Sequence, residues 1–346
     1  MLIAGAWVCA APPRVSGNRP VVIEVPVPDA EPEFAQPGRS DALDREFLAT
    51  VFPEESADAA DSDDGNRQRT PLGELKHARQ QLLKCSSISA KIVETVSVLE
   101  KSYKAEGRYL QTALKPNDWH MRLELVVKIG DAEGSLLEVC DGEVLWMRAD
   151  VESGRKKDRK ESKETTITRR NVSEIMNAAR RIGDKKIETA LITSFGLGGI
   201  PALLAGMEQD MKFTGIKEDH LRSRPVLVIQ GTWTESFASK LRGGQPGRGS
   251  SALMPPFVPD SVHIYVDRDT GFPHRILYRK KVPGREVQRP MLTLDFLEVA
   301  LNQPINNSEF DYVPPDDIQP QELTKNYVDQ LTVPPESRGQ PGAPSK

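Results

Sequence analysis

Residues 119–150 restrict the fold more than any other stretch of the chain. Met121, Leu123, Leu125 and Val127 alternate with Arg122, Glu124 and Lys128, the period-2 pattern of a strand with one apolar face. Residues 130–134 (Gly-Asp-Ala-Glu-Gly) supply a turn and residues 135–140 a second strand. Asp141-Gly142 then suits a tight hairpin, because both residues tolerate the positive φ of primed turns. Residues 144–148 lead out again with Trp146 among apolar neighbours. Three consecutive antiparallel strands predict a large sheet, and no nucleophile or acid–base pair is built into them.

The same alternation predicts further strands over residues 88–99, 103–112, 164–169, 211–218, 225–234, 262–267, 273–281 and 291–301, with Gly107 as a bulge or kink. Helical spacing falls elsewhere. Thr70 is a candidate N-cap, Pro71 sits at the first helical position, and Leu75, Ala78, Leu82 and Leu83 follow on one face as far as residues 85–87. Asn171 opens a second helix to about Arg181, residues 186–194 form a third, and residues 323–331 a short final one. Strand runs interrupted by clustered helices define an α+β fold with helices over one face of a curved sheet.

The ends have a different composition. Residues 2–10 are an apolar run followed by Ala11 and two prolines, far short of the roughly 20 residues that span a bilayer and similar to the back half of an export signal. With no positive leader ahead of it, the expected true start lies upstream. Trp7 and Val8 stand where a lipoprotein cysteine at Cys9 would be preceded by small residues. Residues 12–70 read as an acidic, Pro-rich, disordered tether, with twelve acidic residues between Asp29 and Asp64, and residues 332–346 as a disordered tail. Residues 152–163 are a charged loop without stacking aromatics, and residues 243–256 a Gly/Pro/Ser insertion. A net charge of -4 argues against a general polyanion binder, so nucleic acid is not an expected partner.

Residues 195–207 (Phe-Gly-Leu-Gly-Gly-Ile-Pro-Ala-Leu-Leu-Ala-Gly-Met) lack the Lys and Ser/Thr of a phosphate loop. They read as a kinked apolar lid: a hinge at Gly198-Gly199, a helix opened by Pro201, and Leu203, Leu204 and Met207 on one face. The five histidines (His77, His120, His220, His263 and His274) lack metal-ligand spacing, although His263 and His274 fall in adjacent predicted strands. No Gly-x-Ser-x-Gly elbow occurs. The chain is therefore expected to be non-catalytic, with no metal and no cofactor. Cys85 and Cys140 are left open as a pair or as two buried free thiols.

The order of several features resembles a family. Lys104-Ala105-Glu106-Gly107-Arg108-Tyr109-Leu110, then Lys115-Pro116-Asn117-Asp118-Trp119-His120, then Cys140-Asp141-Gly142-Glu143-Val144-Leu145-Trp146, look like the periplasmic outer-membrane lipoprotein carriers, the LolA-like superfamily. Residues 195–207 fall where that family places its lid helices. The resemblance covers about residues 71–331. It implies an incomplete antiparallel β-barrel of ten to eleven strands, closed by lid helices over an apolar cavity that takes lipid or lipoprotein acyl chains. The cavity candidates are Leu125, Val127 and Trp146 on the sheet, and Phe195, Leu197, Leu203, Leu204 and Met207 on the lid. The implied protein is a monomeric carrier or binder in the cell envelope, periplasmic or exported, free or membrane-associated. The tether, charged loop and insertion exceed a minimal carrier, so an envelope protein-interaction or sensing module on the same fold stays open beside it.

Overall fold

In the computed structural model the described residues are 69–332 apart from 99–100, 113–118, 130–131, 154–161, 242–253, 256, 283 and 286. The expected signal segment, nearly all of the tether, most of the charged loop and of the 243–256 insertion, the tip of the 130–134 turn and the tail lie outside them.

The first helix, α1 (Pro71–Leu83), starts where the sequence signals it: Thr70 Oγ1 accepts the Gly73 N–H at 3.1 Å and Pro71 occupies the first turn. Its buried face is Leu75, Ala78 and Leu82. A meander follows: β1 (Ser87–Val98), β2 (Lys101–Thr112), β3 (His120–Ile129), β4 (Ala132–Asp141), β5 (Val144–Ser153) and β6 (Ser162–Asn171). Three helices, α2 (Val172–Ile182), α3 (Lys185–Ser194) and α4 (Gly199–Asp210), lead to β7 (Met211–Leu221). Then come β8 (Arg224–Trp233), α5 (Glu235–Leu241), β9 (Ser261–Asp267), β10 (Pro273–Lys281) and β11 (Gln288–Leu301). A 3₁₀ turn (Asn307–Phe310), β12 (Gln321–Glu322) and α6 (Thr324–Thr332) complete the described chain.

The strands make one twelve-stranded sheet in the order β12-β6-β5-β4-β3-β2-β1-β11-β10-β9-β8-β7. Every pairing is antiparallel except β12 with β6. The outermost strands β7 and β12 do not pair with each other, so the sheet is open. The helices α2 to α4 carry the chain from near one edge to the other, and α1 and α4 pack together against the inner face. Twelve strands replace the ten to eleven expected because β12 forms from two residues in a stretch that reads as turn. Helix α5 was also unforeseen; Thr234 Oγ1 caps it by accepting the Phe237 N–H, and Trp233 stacks on Phe237 at 4.5 Å.

Two turns have local causes. At the β4–β5 hairpin Asp141 Oδ1 accepts the N–H of Glu143 (2.9 Å) and Val144 (2.7 Å) while Gly142 takes φ 96°, so the loop is Gly142-Glu143, one position later than the sequence suggests. At the β9–β10 turn Asp267 Oδ1 accepts from Asp269 N, Thr270 N and Thr270 Oγ1. Gly107 is not a bulge. It pairs in continuous register with Ile92 and Leu125, and a Cβ there would fall 1.6 Å from the Glu124 carbonyl oxygen, so its role is close approach of two backbones. The actual irregularity in β1 lies at Ser89–Lys91, across from Glu298 (φ 49°).

Two cores result. The larger joins Leu75, Ile92, Leu125, Leu136, Phe272, Ile276 and Phe296 with Ile200, Leu203, Leu204 and Met207 of α4. The smaller joins Trp119, Met121, Cys140 and Leu145 with α2, with Phe195 and Leu197, and with Tyr327, Val328 and Leu331 of α6. Between them the last segment crosses the outer face. The 3₁₀ turn lies over β3 and β4, with Phe310 edge-on to His120 at 5.4 Å, and Tyr312 packs on Trp146 at 5.5 Å.

Candidate acyl-chain site on the inner face

Helix α4 is the centre of the inner face. Ile200, Pro201, Ala202, Leu203, Leu204, Ala205 and Met207 are all buried, so the helix is enclosed nearly all round. The segment before it turns sharply, with Gly196 at φ 69° and Gly199 at φ 53°. A Cβ at Gly198 would lie 2.2 Å from that of Ala202. Tyr109 of β2 anchors the helix start: its hydroxyl accepts from the Ile200 backbone N–H and donates to Gln111 Oε1, and burial pushes its phenol pKa up. Pro201 costs no hydrogen bond because first-turn N–H groups have no intrahelical partner. At the other end Glu208 accepts from Arg79 Nε of α1 at 2.7 Å.

The register decides which residues face this helix. Glu94, Ala105, Val127, Gly134 and Val151 form one cross-strand row, and Gly107, Leu125, Leu136 and Ala149 the next. Leu125 and Leu136 are buried against α4, whereas Ala105, Val127, Met147, Ala149 and Val151 are only half-buried. The inner face thus continues beyond α4 as an apolar strip. Glu94 stands at its β1 end, 4% exposed between Ala105 and Leu294, and burial pushes its carboxyl up to about 7.

The predicted site residues separate into three groups. Leu125, Leu203, Leu204 and Met207 meet in the larger core, and Val127 lies in the adjoining strip. Phe195 and Leu197 belong instead to the smaller core, where Phe195 meets Tyr327 edge-on at 5.0 Å. Trp146 is a correction: it is an odd number of residues from Ala149, so it projects from the outer face, between Tyr312 and the Arg169 guanidinium at 5.7 Å. Side chains of α4 join those of the sheet in the larger core. Two surface depressions of about 370 and 530 Å³ have mixed linings, with Glu143, Asn171, Arg181 and Val328 in one and Lys91, Glu106, Arg108 and Leu110 in the other.

Sequence reading missed Tyr109, Gln111 and Glu94. Glu94 had a signal, since it shares the parity of Ile92 and Val96 and so must face the core. Cys85 and Cys140 are free thiols, packed with different cores, and burial pushes the Cys140 thiol up to about 12. His263 and His274 do not meet: His263 pairs with Leu277 on the outer face, while His274 is buried on the inner face. Among the described residues no three His, Cys, Asp or Glu side chains group closely enough to hold a metal, and no helix is long and apolar enough to cross a membrane.

No protein-family model and no curated protein matches the sequence. Solved structures do. MucB in its complex with MucA from Pseudomonas aeruginosa matches at 12% identity over 70% of this chain and 61% of that one, with a TM-score of 0.35. LprF from Mycobacterium bovis matches at 12% identity over 68% and 94%, with a TM-score of 0.30. A putative outer membrane lipoprotein-sorting protein domain from Vibrio parahaemolyticus matches at 7% identity over 69% and 95%, with a TM-score of 0.25. The chain spans 62% of the MucB chain in a further structure of that protein.

Proposed function

We propose that this chain is a non-catalytic carrier or binder of lipid or lipoprotein acyl chains in the bacterial cell envelope, working as a monomer, exported to the periplasm. The observation that supports this reading is α4: an apolar helix, buried nearly all round, hinged at Gly196 to Gly199, beside an apolar strip that it leaves half-covered. Acyl chains would take the place of its side chains on Leu125 and Leu136. The magnitudes favour reversible exchange. A sixteen-carbon chain supplies about 12 kcal/mol at roughly 0.8 kcal/mol per CH₂. Burying Ile200, Leu203, Leu204 and Met207 supplies a comparable amount at about 1.5–3 kcal/mol each. A carrier needs such a balance, since it must release what it binds.

The test is lipid extraction from the purified full chain with mass spectrometry, joined to displacement of a fluorescent fatty-acid probe. Stoichiometric lipid, and probe binding weakened at least tenfold by Leu204→Glu in a protein with an unchanged circular dichroism spectrum, is the expected result. An empty protein that ignores the probe overturns the reading. A second reading, an envelope protein-interaction module, is supported by the acidic residues 20–70 and by the unpaired edge of β7. It predicts that deleting residues 20–68 abolishes partner capture and leaves probe binding unchanged.

A further inference from the structure

Beside the apolar strip the inner face of β4 to β6 carries three polar side chains, two of which the fold leaves incompletely used. Glu138, Met147 and Thr168 form one cross-strand row, and Arg170 is two residues from Thr168 on the same face. Thr168 is 5% exposed and its Oγ1 has no hydrogen-bond partner. Arg170 Nε is likewise buried without a partner, although its guanidinium lies 5.9 Å from the ring centroids of both Phe195 and Tyr327. A buried donor without a partner costs about 1–3 kcal/mol, and native structures tolerate few of them. Two within one turn of a strand, next to an apolar strip, indicate a polar group that arrives with a ligand.

We infer that Thr168 and Arg170 form a head-group subsite for the carboxylate or phosphate of an acyl-chain ligand, whose chain lies along Met147, Ala149 and Val151. The inference rests on the lipid-binding reading and names the chemistry of the ligand's polar end. The Arg170 guanidinium supplies the charge and Thr168 a hydroxyl donor. Thr168 and Arg170 lie roughly 7 Å apart along one face of β6. Burial pushes the Glu138 carboxyl up, against the pull of Arg170. A neutral chain end would bring no charge to Arg170 Nε.

The experiment compares two probes on the full chain: a fluorescent long-chain fatty acid and its methyl ester, which has the same chain and no charge. The wild type is expected to bind the acid at least tenfold more tightly, the scale of one charge-assisted hydrogen bond. Arg170→Gln removes that preference and leaves ester binding unchanged. Thr168→Val weakens the acid several-fold without lowering the melting temperature, whereas a hydroxyl of purely structural consequence would leave the preference untouched. Inorganic phosphate alone should displace neither probe; if it displaces the acid, the subsite takes free anions and the head-group assignment is overturned. Equal binding of acid and ester by the wild type, or a preference that survives Arg170→Gln, overturns the inference and leaves the lipid reading standing. Failure to bind either probe overturns the lipid reading itself.

Discussion

Gly199 lies directly against Tyr109: a Cβ at position 199 would fall 2.2 Å from the Tyr109 hydroxyl oxygen, and 2.2 Å from Gln111 Oε1. The start of α4 is thereby seated on β2 by an absence of side chain, and the Tyr109 hydroxyl reaches the Ile200 N–H because nothing stands between them.

Gly199→Ala adds a Cβ to that contact and places alanine at φ 53°. The left-handed conformation costs about 1–2 kcal/mol and crowding of two buried side chains a similar amount. Chemical denaturation should show a loss of about 2–4 kcal/mol. If α4 is the moving part, stopped-flow fluorescence should also show faster probe uptake; an unchanged rate would assign Gly199 to stability alone.

At the opposite end of α4, Glu208→Ala leaves Arg79 without its partner across a contact whose side chains are 18% and 10% exposed. The expected destabilisation is about 1–3 kcal/mol, since a poorly hydrated guanidinium is left uncompensated. A double-mutant cycle with Arg79→Ala measures the pairing itself and should return a coupling of about 1 kcal/mol or more.

Glu94 makes stability depend on pH. Its pKa rises from 4.5 to about 7 on folding, so the folded state holds its proton more tightly than the unfolded state. Stability is therefore greatest below about pH 4.5 for this group and falls as pH rises toward 7. At about 1.4 kcal/mol per unit the loss is on the order of 3 kcal/mol. Glu94→Gln should flatten the pH profile of the denaturation midpoint and stabilise the protein more at pH 8 than at pH 4. A slope unaltered by the substitution would mean that Glu94 is ionised in the folded protein at no cost.

Trp146→Ala separates the two faces of the sheet. Loss of the Tyr312 and Arg169 contacts should cost about 2–4 kcal/mol by thermal or chemical denaturation. Fatty-acid probe affinity should stay within twofold of wild type. A large loss of affinity would bring the outer face into the binding reaction.

The sequence shows most of the strands because one-sided burial imposes period 2 on them, and it shows α1, α2 and α4 because caps, prolines and glycines mark their ends. What it hides is partnership. Trp146 is flanked by apolar residues on both sides, Val144 and Leu145 before it and Met147 after, so its run carries no parity; the face it occupies follows only from pairing with Val139, and Val139 is covered by a segment from beyond residue 302. Phe195 and Leu203 lie eight residues apart in one apolar run, yet the glycines between them send the two side chains into different cores. The β12 pair has no sequence signature at all, since two residues beside an edge strand need no alternation.

The strand pair β12–β6 also sets an order of events. Leu323 N donates to the Arg169 carbonyl oxygen, and α6 then lays Tyr327, Val328 and Leu331 onto side chains contributed by residues 119–197. These closing side chains are made after every residue they pack against, because the ribosome builds the chain from its N-terminus. Until they emerge, the apolar faces of α2 and Phe195 have only part of their cover. The smaller core thus closes only once residues 327–331 have been made, more than a hundred residues after the rest of it.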